Sequence, residues 1–101
     1  MATLYITEYG LLGNLNGVSA QAGLEPAITT QTVSIGGSTT SSSAFNAQTS
    51  MVRLHTDSIC SILFGTAPTA SATTPRMAAN QTEYFAVQKG AGLKVAVITN
   101  S

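Results

Sequence analysis

Charge is what this sequence has least of. Of its 101 residues, four are Lys or Arg and four are Asp or Glu, so the formal net charge is zero and only 8 % of residues are charged. A typical soluble domain carries about 25 %. Without a basic cluster, nucleic acid has no electrostatic foothold, because neutralising phosphates takes grouped Lys or Arg. An anionic membrane surface is disfavoured for the same reason. Cysteine is down to one, Cys60, which excludes an internal disulfide. Tryptophan is absent and aromatic residues make up 6 %. Long hydrophobic runs are missing as well. The stretch Val95 to Ile98 is far too short to span a bilayer. The N-terminus, Met1 to Tyr5, has no basic flank followed by an apolar run, so no secretory signal is expected and synthesis in a cytoplasm is. No segment carries a convincing helical period.

Hydroxyl and small residues fill the space that charge leaves: Ser and Thr together number 26, Ala 14 and Gly 9. A chain of this length is read as one domain, residues 1–101, able to bury roughly 60–70 % of its unfolded surface. Near-zero net charge removes the self-repulsion that keeps small proteins dispersed. That is a liability for a free monomer and none for a subunit locked into an assembly.

Periodicity of two runs through the chain. Thr3 to Glu8 reads as a strand in which Tyr5 alternates with Leu4 and Ile6. Ala27 to Ile35 is β-branched and alternating, and Gly36-Gly37 breaks it. Ser38 to Ser43 is a run of six hydroxyl residues, read with Gly36 as a turn into a short strand around Ser43 to Asn46. Met51 to Thr56 places Val52, Leu54 and Thr56 on one side, Arg53 and His55 on the other. Only Asp57-Ser58 separates it from the apolar run Ile59 to Phe64, the length of a tight hairpin loop. Thr66 to Pro75 is a Pro-bounded surface loop. Thr82 to Val87 and Leu93 to Thr99 complete about seven short strands, with Gly36-Gly37 and Gly90-Ala91-Gly92 as hairpin punctuation. The pattern is all-β, and an antiparallel β-sandwich or a jelly roll is the economical closure. Val33, Ile35, Phe45, Val52, Leu54, Ile62, Phe64, Phe85, Val87, Val95 and Val97 are expected on the inner faces. The Gly- and Asn-rich segment from Tyr9 to Pro26 reads as a loop or arm with hydrophobic anchors Leu11, Leu12, Leu15 and Leu24.

No catalytic site emerges from the residue types. His55 and Asp57 sit two apart at a strand end, but no nucleophile elbow of the Gly-x-Ser-x-Gly kind accompanies them. A zinc site wants three or four ligands in paired spacings, and the chain has one His and one Cys. Cys60 opens an apolar strand and reads as a small hydrophobe. Asn80-Gln81-Thr82 fits the glycosylation pattern, which carries no weight without a secretory signal. Neither glycine cluster opens a helix or precedes Lys-Ser/Thr, so neither is a phosphate loop. No cofactor or metal is expected. The three tyrosines, Tyr5, Tyr9 and Tyr84, each offer an apolar body with a polar tip, which suits interfaces.

From about Thr49 onward the chain resembles a family of small virion structural proteins of tailed bacteriophages. The resemblance rests on Met51 to Asp57 with Ile59 to Ile62, Phe64 to Ala70, Arg76 to Phe85 and Gly92 to Ile98, and upstream on Ser42 to Asn46. It covers roughly the C-terminal 60 residues, and its motifs are structural rather than catalytic. It implies a β-sandwich subunit that decorates or cements the capsid surface, with the major capsid protein or other virion subunits as partners. A homodimer or homotrimer matched to a local symmetry axis is expected. A neck, collar or tail position is the alternative, and a particle-exposed receptor- or glycan-binding module a second one. Contact is expected through Tyr9 to Pro26 and Thr66 to Pro75, with Tyr9, Leu11, Leu12, Leu15, Leu24, Pro68 and Arg76 as contact residues. Removing Leu11 to Gly23 is expected to abolish binding and leave the β fold.

Overall fold

A computed structural model describes residues 2–10, 12–15, 18–23 and 25–100, with the backbone alone described for 12–15 and 18–23. Its strands are β1 (Thr3–Tyr9), β2 (Leu12–Leu15), β3 (Val18–Gly23), β4 (Thr29–Ser34), β5 (Thr40–Ser41), β6 (Met51–Thr56), β7 (Cys60–Gly65), β8 (Arg76–Met77), β9 (Thr82–Ala86) and β10 (Lys94–Thr99). Two four-stranded antiparallel sheets, ordered β4-β1-β6-β9 and β5-β10-β7-β8, form a β-sandwich. β2 and β3 pair with each other as a separate two-stranded ladder. Without that ladder, the eight remaining strands follow jelly-roll order with the last strand moved to the front of the chain. β1 occupies the place, between β4 and β6, that the final strand of a jelly roll takes.

Alternation explains the core. Leu4 and Ile6 of β1, Val33 of β4, Val52 and Leu54 of β6, Cys60 and Ile62 of β7 and Val95 and Val97 of β10 all point inward and are buried. Phe45, Ile35 and Met77 belong to the same buried cluster. Phe64 lies with its ring centroid 6.2 Å from that of Phe45 and 5.0 Å from that of Phe85, so one aromatic chain joins both sheets. Every residue expected on the inner faces belongs to this cluster or packs against it.

Four expectations about connectivity are corrected. Asp57-Ser58 does not make a hairpin, because β6 and β7 lie in different sheets and the link arches over the end of the sandwich. It is held by Thr56 Oγ1, which donates to the Ser58 carbonyl at 2.6 Å and accepts from Ser58 N–H at 3.2 Å. Gly36-Gly37 and Gly90-Ala91-Gly92 likewise lead from one sheet to the other. At the second, Gly90 and Gly92 take φ of 69° and 67°, the left-handed region where a side chain is strained. The short strand falls at Thr40–Ser41 and not at Ser43 to Asn46. There Ser42 and Phe45 donate their N–H groups to Val95 and Leu93, which ties the crossing to β10 without a ladder. Finally, the loop or arm at 9–26 contains β2 and β3, whose register leaves Leu15 opposite Val18.

Candidate functional site

The two sheets differ in what covers their outer faces. Over the second sheet, the loop from Thr66 to Pro75 folds back as a cover. Ala70 N–H bonds Thr39 Oγ1 at 3.0 Å, and Asn100 Nδ2 reaches both Ser61 Oγ at 2.6 Å and the Ala72 carbonyl at 3.2 Å. Of the outward residues of this sheet, Ser61 and Ala96 are fully buried and Leu63 and Ile98 half-buried. Among the described residues, no such loop folds over the Tyr5 and Tyr84 end of the first sheet.

Register builds its open face. Tyr5 of β1 lies opposite Thr32 of β4 and His55 of β6, and His55 lies opposite Thr82 of β9. In the next outward row, Thr7 lies opposite Thr30 and Arg53, and Arg53 opposite Tyr84. Tyr5 is 45 % and Tyr84 58 % exposed, and Ile28, two residues before the outward Thr30, is 37 % exposed. These three are the exposed large hydrophobic residues of the described chain; the register places Tyr5 and Tyr84 on this face, while Ile28 packs beside Gly10 at the end of the sheet. Tyr5 leans on the His55 ring at 6.2 Å between centroids, and His55 Nδ1 is 2.8 Å from Thr82 Oγ1. Two tyrosine rings thus flank an Arg and a His, amid threonine hydroxyls.

Tyr9 stands at the end of the same face, but buried. Its hydroxyl donates to Glu25 Oε2 at 2.8 Å. That bond first, and then burial and the Glu25 charge, hold the phenol above its ordinary range, with Arg53 acting weakly in the other direction.

On the inner side, Glu8 continues the alternation of Leu4 and Ile6 and is fully buried. Its oxygens accept from neutral donors: Asn46 N–H and Thr49 Oγ1, both at 2.8 Å on Oε1, and Gln31 Nε2 at 3.1 Å on Oε2. The carboxylate thereby clasps β1 to β4 and to the segment that returns from the second sheet. A shallow cavity of about 330 Å³ opens beside it, lined by Glu8, Thr29, Gln31, Ser43, Ala44 and Asn46. It contains no nucleophile paired with a base. Among the described residues no group of three His, Cys, Asp or Glu side chains is placed to hold a metal ion.

Among the expected contact residues whose side chains are described, Tyr9 does not converge with Pro68 and Arg76. Tyr9 lies on the first sheet. Pro68, packed against Gly65, and the exposed Arg76 of β8 belong to the second. Leu12 and Leu15 lie in β2, their side chains outside the description, and Leu11 and Leu24 lie outside the described residues. His55 and Asp57 do not meet either, since Asp57 Oδ1 accepts from Thr3 N–H at 2.8 Å. No family model matches the chain, and comparison with curated proteins and with solved structures gives no match.

Cys60 is a buried free thiol against Thr56 Oγ1 at 3.6 Å, and burial pushes its pKa up. A group whose ionisation is harder in the folded state keeps its full contribution below its unfolded pKa of about 8.5 and loses it as pH rises above that. Tyr9 acts in the same direction further up, near pH 10. Denaturant midpoints are therefore expected to fall between about pH 8 and 10, and less steeply in Cys60→Ser. A native-state alkylation of Cys60 as fast as in the unfolded chain would contradict its burial.

Proposed function

We propose that this chain is a non-enzymatic structural subunit of a virus particle, docking on the capsid shell as a decoration or cement protein. The observation that carries the proposal is the asymmetry of the sandwich: the loop from Thr66 to Pro75 is bonded back toward the outer side of the second sheet, and the outer face of the first sheet gathers the exposed rings of Tyr5 and Tyr84. Tyrosine and Arg are enriched at protein interfaces, where rigid rings supply area at small entropic cost. The scarcity of charge supports the same reading, since 8 % charged residues suits a subunit held in an assembly. A subunit that binds only the mature shell stabilises that shell by mass action.

Copy number tests it. Quantitative mass spectrometry of purified particles is expected to give a ratio to the major capsid protein near one, or a simple fraction of it. A ratio of a few per cent would favour a neck, collar or tail position, and absence from the particle would overturn the proposal. Deleting residues 11–23 separates the regions: binding lost by this deletion alone assigns the contact to the segment 9–26, and binding retained assigns it to the sandwich. A glycan-binding module is the second reading. The same two rings beside the hydroxyls of Thr7, Thr30, Thr32 and Thr82 favour it, because aromatic faces and hydroxyls together suit sugars.

A further inference from the structure

The four edges of the sandwich are not equally protected. An edge strand presents unpaired N–H and C=O groups, and proteins blunt such edges with short strands, bulges, proline or charge. β5 and β8 are two residues long. β9 carries Glu83, in register with the core residue Leu54 and so on the inward row of the edge, a common guard. β4 has none of these devices. Its six residues, Thr29-Thr30-Gln31-Thr32-Val33-Ser34, contain no charge and no proline, and its ladder with β1 runs unbroken from Thr3↔Ser34 to Glu8↔Thr29. Thr29, Thr30, Thr32 and Ser34 are exposed. Gln31, on the inward row, exchanges hydrogen bonds with the backbone of Ser43 beneath the strand.

We propose that β4 pairs with β4 of a second copy of this chain, antiparallel about a two-fold axis, making one continuous eight-stranded sheet. The occupant is a second copy because a two-fold axis sets each side chain near its own duplicate. Any charge in the strand would meet itself, and β4 is the long edge free of charge. Its outward row of Thr30, Thr32 and Ser34 meets the same hydroxyls, a favourable cross-strand pairing. An axis perpendicular to the sheet keeps the outward rows on one side, so either Gln31 or Thr32 lies opposite its own copy. The two tyrosine faces then become coplanar, and the docking surface of the proposed function becomes bivalent. The pairing itself stands on the edge alone and is testable without any particle. Six residues of edge bury less than the roughly 1,600 Å² of a standard interface, so the association is weak and concentration-dependent.

Sedimentation equilibrium of the purified chain is expected to show a mass rising with concentration from 10.3 kDa toward twice that value. Thr32→Lys and Thr32→Glu each place like charges opposite or diagonal across the axis, and each is expected to weaken association at least tenfold. An equimolar mixture of the two is expected to restore it, a result that a folding defect in either variant would not give. A wild-type mass fixed at 10.3 kDa up to near-millimolar concentration would overturn the proposal. So would association of Thr32→Lys as tight as wild type, which would place the contact on another surface.

Discussion

Replacing Glu8 by Ala is expected to cost about 3 kcal/mol of stability, the largest single effect foreseen away from the apolar core. The carboxylate is fully buried and accepts Asn46 N–H, Thr49 Oγ1 and Gln31 Nε2. Each buried donor left without a partner costs about 1–3 kcal/mol. Gln31 keeps its bond to the Ser43 carbonyl, so two donors bear most of the loss. In a domain of this size, that lowers the thermal midpoint by roughly 10–20 °C. Glu8→Gln is expected to be milder but not neutral. Its Oε1 can keep Asn46 and Thr49, while its new amide faces the amide of Gln31. Gln31 cannot turn over without losing the Ser43 N–H that its Oε1 accepts at 3.0 Å. The Glu8→Ala/Thr49→Val pair is expected to fall short of the sum of its parts, because both remove the same bond. Denaturant midpoints decide the matter. A loss below about 0.5 kcal/mol in Glu8→Ala, the level of an ordinary surface change, would mean that the clasp holds nothing.

Glu8 also shows what kind of information the sequence carries. Its position was open to reading: Leu4, Ile6 and Glu8 share one side of a strand, so the pleat alone puts the carboxylate inside. The same parity places Tyr5 outside, and places Val52 and Leu54 in the core. Parity determines a side, however, and not a neighbour. Asp57-Ser58 is short enough for a hairpin and equally short enough for an arch between sheets. The choice is made by non-local contacts, among them the bond between Thr3 N–H and Asp57 Oδ1, 54 residues apart. β2 and β3 were missed although Leu15-Asn16-Gly17-Val18 holds Asn-Gly, the dipeptide most favoured in two-residue hairpin loops. The leucines of that segment are scattered and follow no period of two. The open face was harder to see. Tyr5 and Tyr84 lie 79 positions apart in sequence, and only the order β1-β6-β9 brings them to one surface. That the loop from Thr66 to Pro75 is bonded back to Thr39 and Asn100 depends on the fold, which its composition does not encode.

Tyr5→Thr and Tyr84→Thr are expected to weaken docking by roughly thirty-fold each, the effect of a hot spot worth about 2 kcal/mol. Threonine is the informative replacement because it keeps the β-branched preference of a strand and matches the neighbouring Thr7 and Thr82. Both positions are exposed, so stability is expected to stay within about 0.5 kcal/mol of wild type. The second sheet supplies the control. Pro68→Ala and Arg76→Ala alter the second sheet, opposite the tyrosines, and are expected to leave docking unchanged if the open face carries it. Binding of each purified variant to particles stripped of the wild-type subunit measures both sets. The converse pattern, with docking lost at Pro68 and Arg76 and kept without the tyrosines, would move the contact to the loop from Thr66 to Pro75. The open face would then need another occupant, and its hydroxyl-flanked rings would make an oligosaccharide the first to try.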